Sequence, residues 1–250
     1  MAGPKVVVYG LSTEGYAIAS QMAIKGADVF IIDESTPSAI SLKAEIAKTY
    51  PNVSSLKEDE PLLAMEPIDV AISKAQYLFF TPRIRKTGQD IKTEIHSKFK
   101  DAVTSLKKNS SVIFTLATGF GGNNENISLL EHVTGLQAGK NISYFYYPLE
   151  DLNQQPKIIG SFNGKKDSVL SDLLSTGKKE KKFVAISSSE HFHAIDTLSR
   201  FSSLCSILEV CKYAQDEITK NDLSSNDFQE RKIIFCNFIL SIFTNFQNTT

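Results

Sequence analysis

The stretch KVVVYGLSTEGYAIASQMAIKGADVFIID, residues 5 to 33, restricts the fold more than any other part of the chain. An apolar, β-branched run from Lys5 to Tyr9 passes through Gly10 into a segment with helical apolar spacing, from Glu14 to Lys25. Gly26 closes that segment, and a second apolar run follows and ends at Asp33. Strand, tight turn, helix and strand in this order make a βαβ unit, whose strands lie parallel in one sheet.

The same alternation continues downstream. The spacing predicts a helix over 38–48, an irregular, acidic and proline-bearing stretch over 51–67, and a short helix over 68–74. The strand QYLFF then ends at the turn Thr81-Pro82. A helix over 90–107 carries Ile91, Ile95, Phe99, Ala102, Val103 and Leu106 on one face. After it come the strand SVIFTL, the loop ATGFGGNNEN, a helix near 125–133 and the strand ISYFYYP. KIIGSF, a helix over 166–175, the charged loop GKKEKK and the strand FVAIS complete the series. Strands alternating with helices predict a doubly wound, mostly parallel α/β sheet of Rossmann type over 1–188.

From Glu190 the pattern changes to long helix, so residues 189–250 are expected to form a C-terminal helical extension. Leu198, Phe201, Cys205 and Leu208 form one apolar seam, and Leu204, Ile207, Cys211, Ala214 and Ile218 a second. A last helix over 227–246 is apolar except for Asn237, Ser241 and Asn245. So much apolar surface on an extension predicts a homodimer through these helices, or a separate partner chain.

Charge excludes several partners. A net charge of −1 offers no basic field for nucleic acid and no acidic tail. The longest apolar run, IIFCNFILSIF, is shorter than the roughly 20 residues a bilayer requires. The N-terminus enters a strand without a signal-peptide pattern, and the expected compartment is the cytoplasm. Cys205, Cys211 and Cys236 have neither zinc-site nor redox spacing and are expected as buried thiols.

The first turn points to a specific chemistry. In the G-x-G-x-x-G fingerprint the first glycine permits the turn, the second admits a pyrophosphate, and the third packs helix on strand. Gly10 and Gly15 hold the first and third places, and Ser12 holds the second. Ser12 brings a Cβ and a hydroxyl that either donates to a phosphate or crowds it. Glu14 puts a carboxylate in the helix's first turn, where the dipole favours it and an arriving phosphate competes with it. Asp33 stands about twenty residues on, where an acid binds the adenosine ribose and repels a 2′-phosphate; NAD is therefore expected over NADP. The cofactor-binding set is Gly10, Leu11, Ser12, Thr13, Glu14, Gly15 and Asp33, against the plain alternative that the glycines serve turn geometry alone.

In order, the segments GLSTEGYAIASQMAIKGADVFIID, YLFFTPRIRKTGQDI, LKKNSSVIFTLATGFGGNNE, GLQAGKNISYFYYPL, PKIIGS and ISSSEHFHAIDTLSRF resemble the UDP-glucose/GDP-mannose dehydrogenase family across nearly the whole chain. The resemblance implies an NAD-binding domain, a long dimerisation helix, and oxidation of a nucleotide sugar's primary alcohol to a carboxylate. It implies that Thr81, Pro82 and Thr118 lie around the nicotinamide, with Gly122 in the second loop. It also aligns Leu149 with a family glutamate, with Glu150 one place late. Asp196 and Arg200 align with a lysine and an asparagine that stabilise an oxyanion, so the charge at the first is reversed. The sugar-nucleotide domain and its nucleophilic cysteine have no counterpart, and no catalytic residue is assigned.

Other candidates are weaker. His191 and His193, two apart, diverge by about 200° on a helix and make a poor metal pair. His96 and His132 fall in helices without partners. Arg83, Arg85 and Lys86 follow a strand's carboxyl end, either to meet a phosphate or carboxylate or as a solvated loop. Three functional readings follow: an NAD(H)-binding protein of the nucleotide-sugar dehydrogenase type, impaired or dependent on a partner; a scaffold or regulatory protein without dinucleotide; and an oxidoreductase for another small alcohol or acid.

Overall fold

The strands β1 (Lys5–Tyr9) and β2 (Asp28–Ile32) are apolar at nearly every position because both faces of their sheet are covered. The computed structural model describes residues 3–58, 63–88, 90–149, 158–175 and 181–220. The expected helix over 227–246, Cys236, Glu150, most of the GKKEKK loop and the side chains of Ala214 and Ile218 lie outside the described residues.

Between β1 and β2 runs α1 (Thr13–Ile24). Then follow β3 (Ser38–Leu42), α2 (Ala44–Thr49), α3 (Val53–Glu58), β4 (Met65–Pro67), α4 (Ile68–Lys74) and β5 (Tyr77–Phe80). The chain continues through α5 (Asp90–Val103), β6 (Ser111–Phe114), α6 (Gly122–Thr134), β7 (Ser143–Tyr146) and β8 (Ile158–Ser161). α7 (Ser168–Leu174), β9 (Lys182–Ala185) and α8 (Ile186–Lys220) complete it. The nine strands form one sheet in the order β4-β3-β2-β1-β5-β6-β7-β8-β9. Its centre, β2-β1-β5-β6-β7, is parallel. β3 and β4 add antiparallel strands at one edge, and β8 runs antiparallel to β7. This is the doubly wound, Rossmann-type α/β fold that the alternation predicts.

The period of two along each strand sorts side chains to two cores. Val6, Val8, Ile31, Phe79 and Ile113 face Ile18 and Met22 of α1 and Leu170 and Leu174 of α7. Val7, Leu78, Phe80, Val112 and Phe114 face Ile72 of α4, Phe99 and Val103 of α5 and Leu130 of α6. Three rings bind the second core together: Phe80 lies 5.0 Å from Phe99 and 5.3 Å from Phe114, and Phe99 lies 5.4 Å from Phe114. These tilted and edge contacts suit the ring quadrupoles.

The helix expected over 38–48 is corrected by the structure. Residues 38–42 form β3, and only 44–49 are helical. Ile40 and Leu42 enter one core while Ala39 enters the other, a period of two rather than 3.6. Pairing with the otherwise open edge of β2 outweighs helix propensity there. The irregular stretch over 51–67 likewise contains α3 and the three-residue strand β4, which ends at Pro67. At the far end the strand expected over 183–187 stops at Ala185, and the long helix starts at Ile186 rather than Glu190. Ile186 packs on the second core, which draws the helix onset forward.

The chain divides into two compact units, Met1–His193 and Ala194–Thr250. In the second, α8 exposes Ile195, Leu198, Phe201, Leu204, Leu208, Val210 and Tyr213. Cys205 and Cys211 are half-buried free thiols. Among the described residues no helix is long and apolar enough to cross a membrane.

Candidate functional site

In an open α/β sheet the chain reverses its winding where neighbouring strands lead to opposite sides, and the carboxyl ends there leave a crevice. Here that point lies between β1, which leads to β2 on one side, and β5 on the other. The two carboxyl ends carry Gly10 and Thr81. Gly10 has φ +117°, and a Cβ on it would run into the Thr81 carbonyl. A Cβ on Gly15 would run into the Gly10 carbonyl. Both glycines are therefore required by the turn's own packing. Thr81, buried, secures the turn from behind: its hydroxyl donates toward the Tyr9 carbonyl at 3.2 Å and the Gly10 carbonyl at 3.3 Å. Pro82 is buried beside it.

Ser12 is the N-cap of α1. Its backbone is extended, and its Oγ accepts the Gly15 N–H at 3.0 Å. The hydroxyl is thus turned into the helix, where it satisfies one of the orphan amides. Leu11 is buried, whereas Thr13 and Glu14 are exposed on the first turn. The cap of α1 is therefore a neutral group, and the one charge in its first turn is the exposed Glu14 carboxylate.

Asp33 follows β2. Its Oδ1 accepts from the Ser35 N–H at 3.0 Å and the Ser35 hydroxyl at 2.7 Å. Glu34 beside it accepts the Arg83 N–H at 2.8 Å and pairs with Lys98 Nζ at 2.5 Å. Lys98 also pairs with Glu94 at 3.0 Å and donates to the Arg83 carbonyl. The main-chain N–H groups of Lys86 and Arg85 also donate to Glu94. The Lys86 N–H first, and then Lys98, hold that carboxyl down at about 2. The Arg83 guanidinium donates to the Leu11 carbonyl at 3.2 Å. Arg83, Arg85 and Lys86 therefore form a structured corner rather than a free loop.

The second glycine-rich loop is built differently. Glu190, in the first turns of α8, is only 3% exposed. Its carboxylate accepts the Gly121 N–H at 3.0 Å, the Asn123 N–H at 2.9 Å and the Asn123 side-chain amide at 2.8 Å. It thereby occupies the N-terminus of α6. Asn123, fully buried, also donates to Thr118 Oγ1 at 2.9 Å and accepts from the Tyr144 hydroxyl at 2.6 Å. Burial pushes the Tyr144 hydroxyl well up, so it stays a donor. The Thr118 N–H donates to the Tyr146 hydroxyl at 3.2 Å. A Cβ on Gly122 would stand 2.9 Å from the Thr118 Cβ.

Around this loop the two histidines take separate neighbours. His191 Nδ1 lies 2.6 Å from the Ser187 carbonyl, and its ring lies 4.8 Å from that of Phe120. His193 stands edge-on to Tyr146 at 6.2 Å. Among the described residues no group of three His, Cys, Asp or Glu is placed to hold a metal. Leu149 packs partly buried against the first core. Asp196 and Arg200 pair with each other at 2.8 Å along α8. His96 lies 3.9 Å from Glu125 and, with Lys92, Lys100 and Leu129, lines an open groove of about 460 Å³ between α5 and α6.

Sequence spacing did not single out Lys181. Its Nζ donates to the Tyr147 hydroxyl at 3.0 Å, and the pair is buried. Burial first, then the charge of Lys25, lowers this amine to about 8. Because β8 and β9 run against β7, the start of β9 shares a sheet edge with the end of β7. Lys181 and Tyr147 therefore sit on the carboxyl edge of the parallel strands.

No protein-family model and no curated protein sequence matches the chain. Solved structures do. A GDP-mannose dehydrogenase from Pseudomonas aeruginosa, solved as a ternary complex, superposes with a TM-score of 0.63 at 13% identity, over 98% of this chain and 68% of that one. An NDP-N-acetyl-D-galactosaminuronic acid dehydrogenase from Methanosarcina mazei gives 0.58 at 12% identity, over 84% of this chain and 50% of that one. An imine reductase from Aspergillus terreus, in complex with NADPH4, gives 0.57 at 12% identity, over 99% and 78%. The chain therefore has the Rossmann-type fold seen in these dehydrogenases and reductases.

Proposed function

We propose that the protein binds a nicotinamide dinucleotide, NAD(H) first, across the carboxyl ends of β1 and β5. The observation that carries this reading is the first turn. Gly10 and Gly15 keep its geometry, and Ser12 caps α1 with a neutral hydroxyl turned inward, which leaves the remaining first-turn amides for a ligand. Leu11, Thr13 and Glu14 line the pyrophosphate side, and Asp33 the adenosine ribose. Thr81 and Pro82 back the crevice, and Thr118 stands toward the nicotinamide. A bound nicotinamide supplies a hydride donor or acceptor, which would make the protein an oxidoreductase of the nucleotide-sugar dehydrogenase type.

The solved neighbours support the cofactor half of this reading more than any single substrate. Two dehydrogenases of sugar nucleotides and an imine reductase share the fold at similar distances. Leu149 in place of an acid, and Asp196 paired with Arg200, favour a chain with impaired catalysis or one completed by a separate partner. The exposed seam of α8 supports a homodimer through that helix. The alternative, a scaffold without dinucleotide, draws on Glu190, which already fills the N-terminus of α6.

Titration of the full chain with NADH, followed by nicotinamide fluorescence and calorimetry, tests the reading. Saturable binding below the millimolar range is expected. Absence of saturation at millimolar cofactor rejects it and leaves the scaffold. Turnover of a panel of nucleotide sugars, followed at the nicotinamide absorbance, then separates an active enzyme from an impaired one.

A further inference from the structure

The glycine-rich loop after β6 spends its amides on the protein itself. The Gly121 and Asn123 N–H groups go to Glu190 at 3.0 and 2.9 Å, and the Gly122 N–H goes to the Gly119 carbonyl at 3.0 Å. What this loop offers to solvent is a ring. Phe120 stands 66% exposed at the tip of the turn from Gly119 to Gly122.

A single exposed apolar side chain is ordinary on a soluble protein. Phe120 differs in how firmly it is displayed. Gly121 takes φ +75° and ψ 1°, the left-handed conformation required at the third residue of a type II turn. The loop is anchored beside that turn: the Thr118 N–H donates to the Tyr146 hydroxyl at 3.2 Å, and the Asn123 amide donates to Thr118 Oγ1 at 2.9 Å. The His191 ring backs Phe120 at 4.8 Å with a tilt of 42°, and its Nδ1 is held 2.6 Å from the Ser187 carbonyl. A Cβ on the neighbouring Gly119 would meet nothing within 4 Å, so the space beside the turn is open. A ring fixed in advance, backed by His191 and otherwise exposed, takes a second planar ring with little further loss of freedom.

The place of this ring in the sheet selects its partner. The order β2-β1-β5-β6 puts the loop after β6 three strand spacings from Asp33, roughly 14 Å away. A dinucleotide with its adenosine ribose at β2 and its pyrophosphate at α1 crosses β1 and β5 and carries its second ring toward β6. That second ring is planar and uncharged in the reduced cofactor, and it meets a loop whose amides are taken and whose aromatic side chain is free.

We propose that Phe120, backed by His191, is a positioning residue that stacks on the nicotinamide ring and fixes its place in the crevice. This rests on the dinucleotide reading above. The test compares NADH with ADP-ribose, which keeps the adenosine and the pyrophosphate and lacks the nicotinamide. Dissociation constants for both are measured by calorimetry with the full chain and with Phe120→Ala, Phe120→Leu and Phe120→Tyr, each checked for an unchanged melting midpoint. Wild type is expected to bind NADH more tightly than ADP-ribose. Phe120→Ala is expected to weaken NADH about tenfold and ADP-ribose less than about twofold. Phe120→Leu stays near Phe120→Ala, because it restores apolar area without a planar face, and Phe120→Tyr recovers the wild-type affinity to within about twofold. An unchanged NADH affinity in Phe120→Ala, or equal losses of both ligands, overturns the proposal and leaves the dinucleotide reading standing. Failure of both ligands to bind the wild type rejects that reading and the proposal with it.

Discussion

Two helices, α1 and α6, begin at glycine turns beyond the same sheet, and their N-termini are treated in opposite ways. At α1 the cap is the neutral Ser12 hydroxyl, and the only acid of the first turn, Glu14, is exposed. At α6 a carboxylate from a distant part of the chain, Glu190, is buried against the first amides. Both solutions satisfy orphan N–H groups. Only the first leaves its amides without a buried carboxylate, its one first-turn acid, Glu14, standing exposed at the side. The second, richer in glycine and asparagine, is already filled by the protein itself. Glycine content is thus a poor guide to an anion site, and the charge of the capping group is a better one.

Removing the α6 cap gives the largest expected effect. Glu190→Ala leaves the Gly121 and Asn123 N–H groups and the Asn123 amide without their acceptor in a buried place. A loss of about 3 kcal/mol of unfolding free energy is expected from chemical denaturation. Glu190→Gln retains one acceptor oxygen and is expected to lose about half as much. If Glu190→Ala melts like the wild type, water replaces the carboxylate, and the two helix ends are not opposites after all.

The first of these ends is far more legible in the sequence than the second. The turn at α1 is local: Gly10, Ser12 and Gly15 lie within six residues, and the cap spans three. Glu190 lies 67 residues from Asn123, so no spacing announces the pair. The same division runs through the fold. The central parallel strands are continuous apolar runs and read directly, because burial on both faces dictates them. β3 is misread as helix because its assignment depends on the edge of β2, a partner that the local pattern does not contain. Arg83 belongs with the hidden class. Its main chain reaches Glu34 and its guanidinium reaches Leu11, 49 and 72 residues away.

A smaller effect is expected at the open end. Ser12→Ala removes the side-chain acceptor of the Gly15 N–H and should cost about 1 kcal/mol, read from the same denaturation curves. Ser12→Gly should cost only a few tenths. The pair also sharpens the binding argument. If the Ser12 Cβ crowds a pyrophosphate, Ser12→Gly tightens NADH and Ser12→Ala does not. Equal affinities for both variants would mean that the residue acts on the helix alone.

The smallest expected effect falls on Glu14. The side chain is exposed, so Glu14→Gln removes only a favourable charge from the first turn of α1, a loss of about 0.3–0.5 kcal/mol. Its effect on ligand binding has the opposite sign. A carboxylate beside an arriving pyrophosphate repels it through water, and removing it should tighten NADH about two- to fivefold at low salt. Screening predicts that this gain fades at high salt, where the Debye length shrinks to about 3 Å. Titration of wild type and Glu14→Gln at low and high salt therefore tests where the first turn points. A gain that disappears with salt means that α1's amides face the phosphates, with Glu14 at their side. No gain at either salt means that the ligand's charge lies elsewhere, and the contrast between the two helix ends then loses its functional meaning.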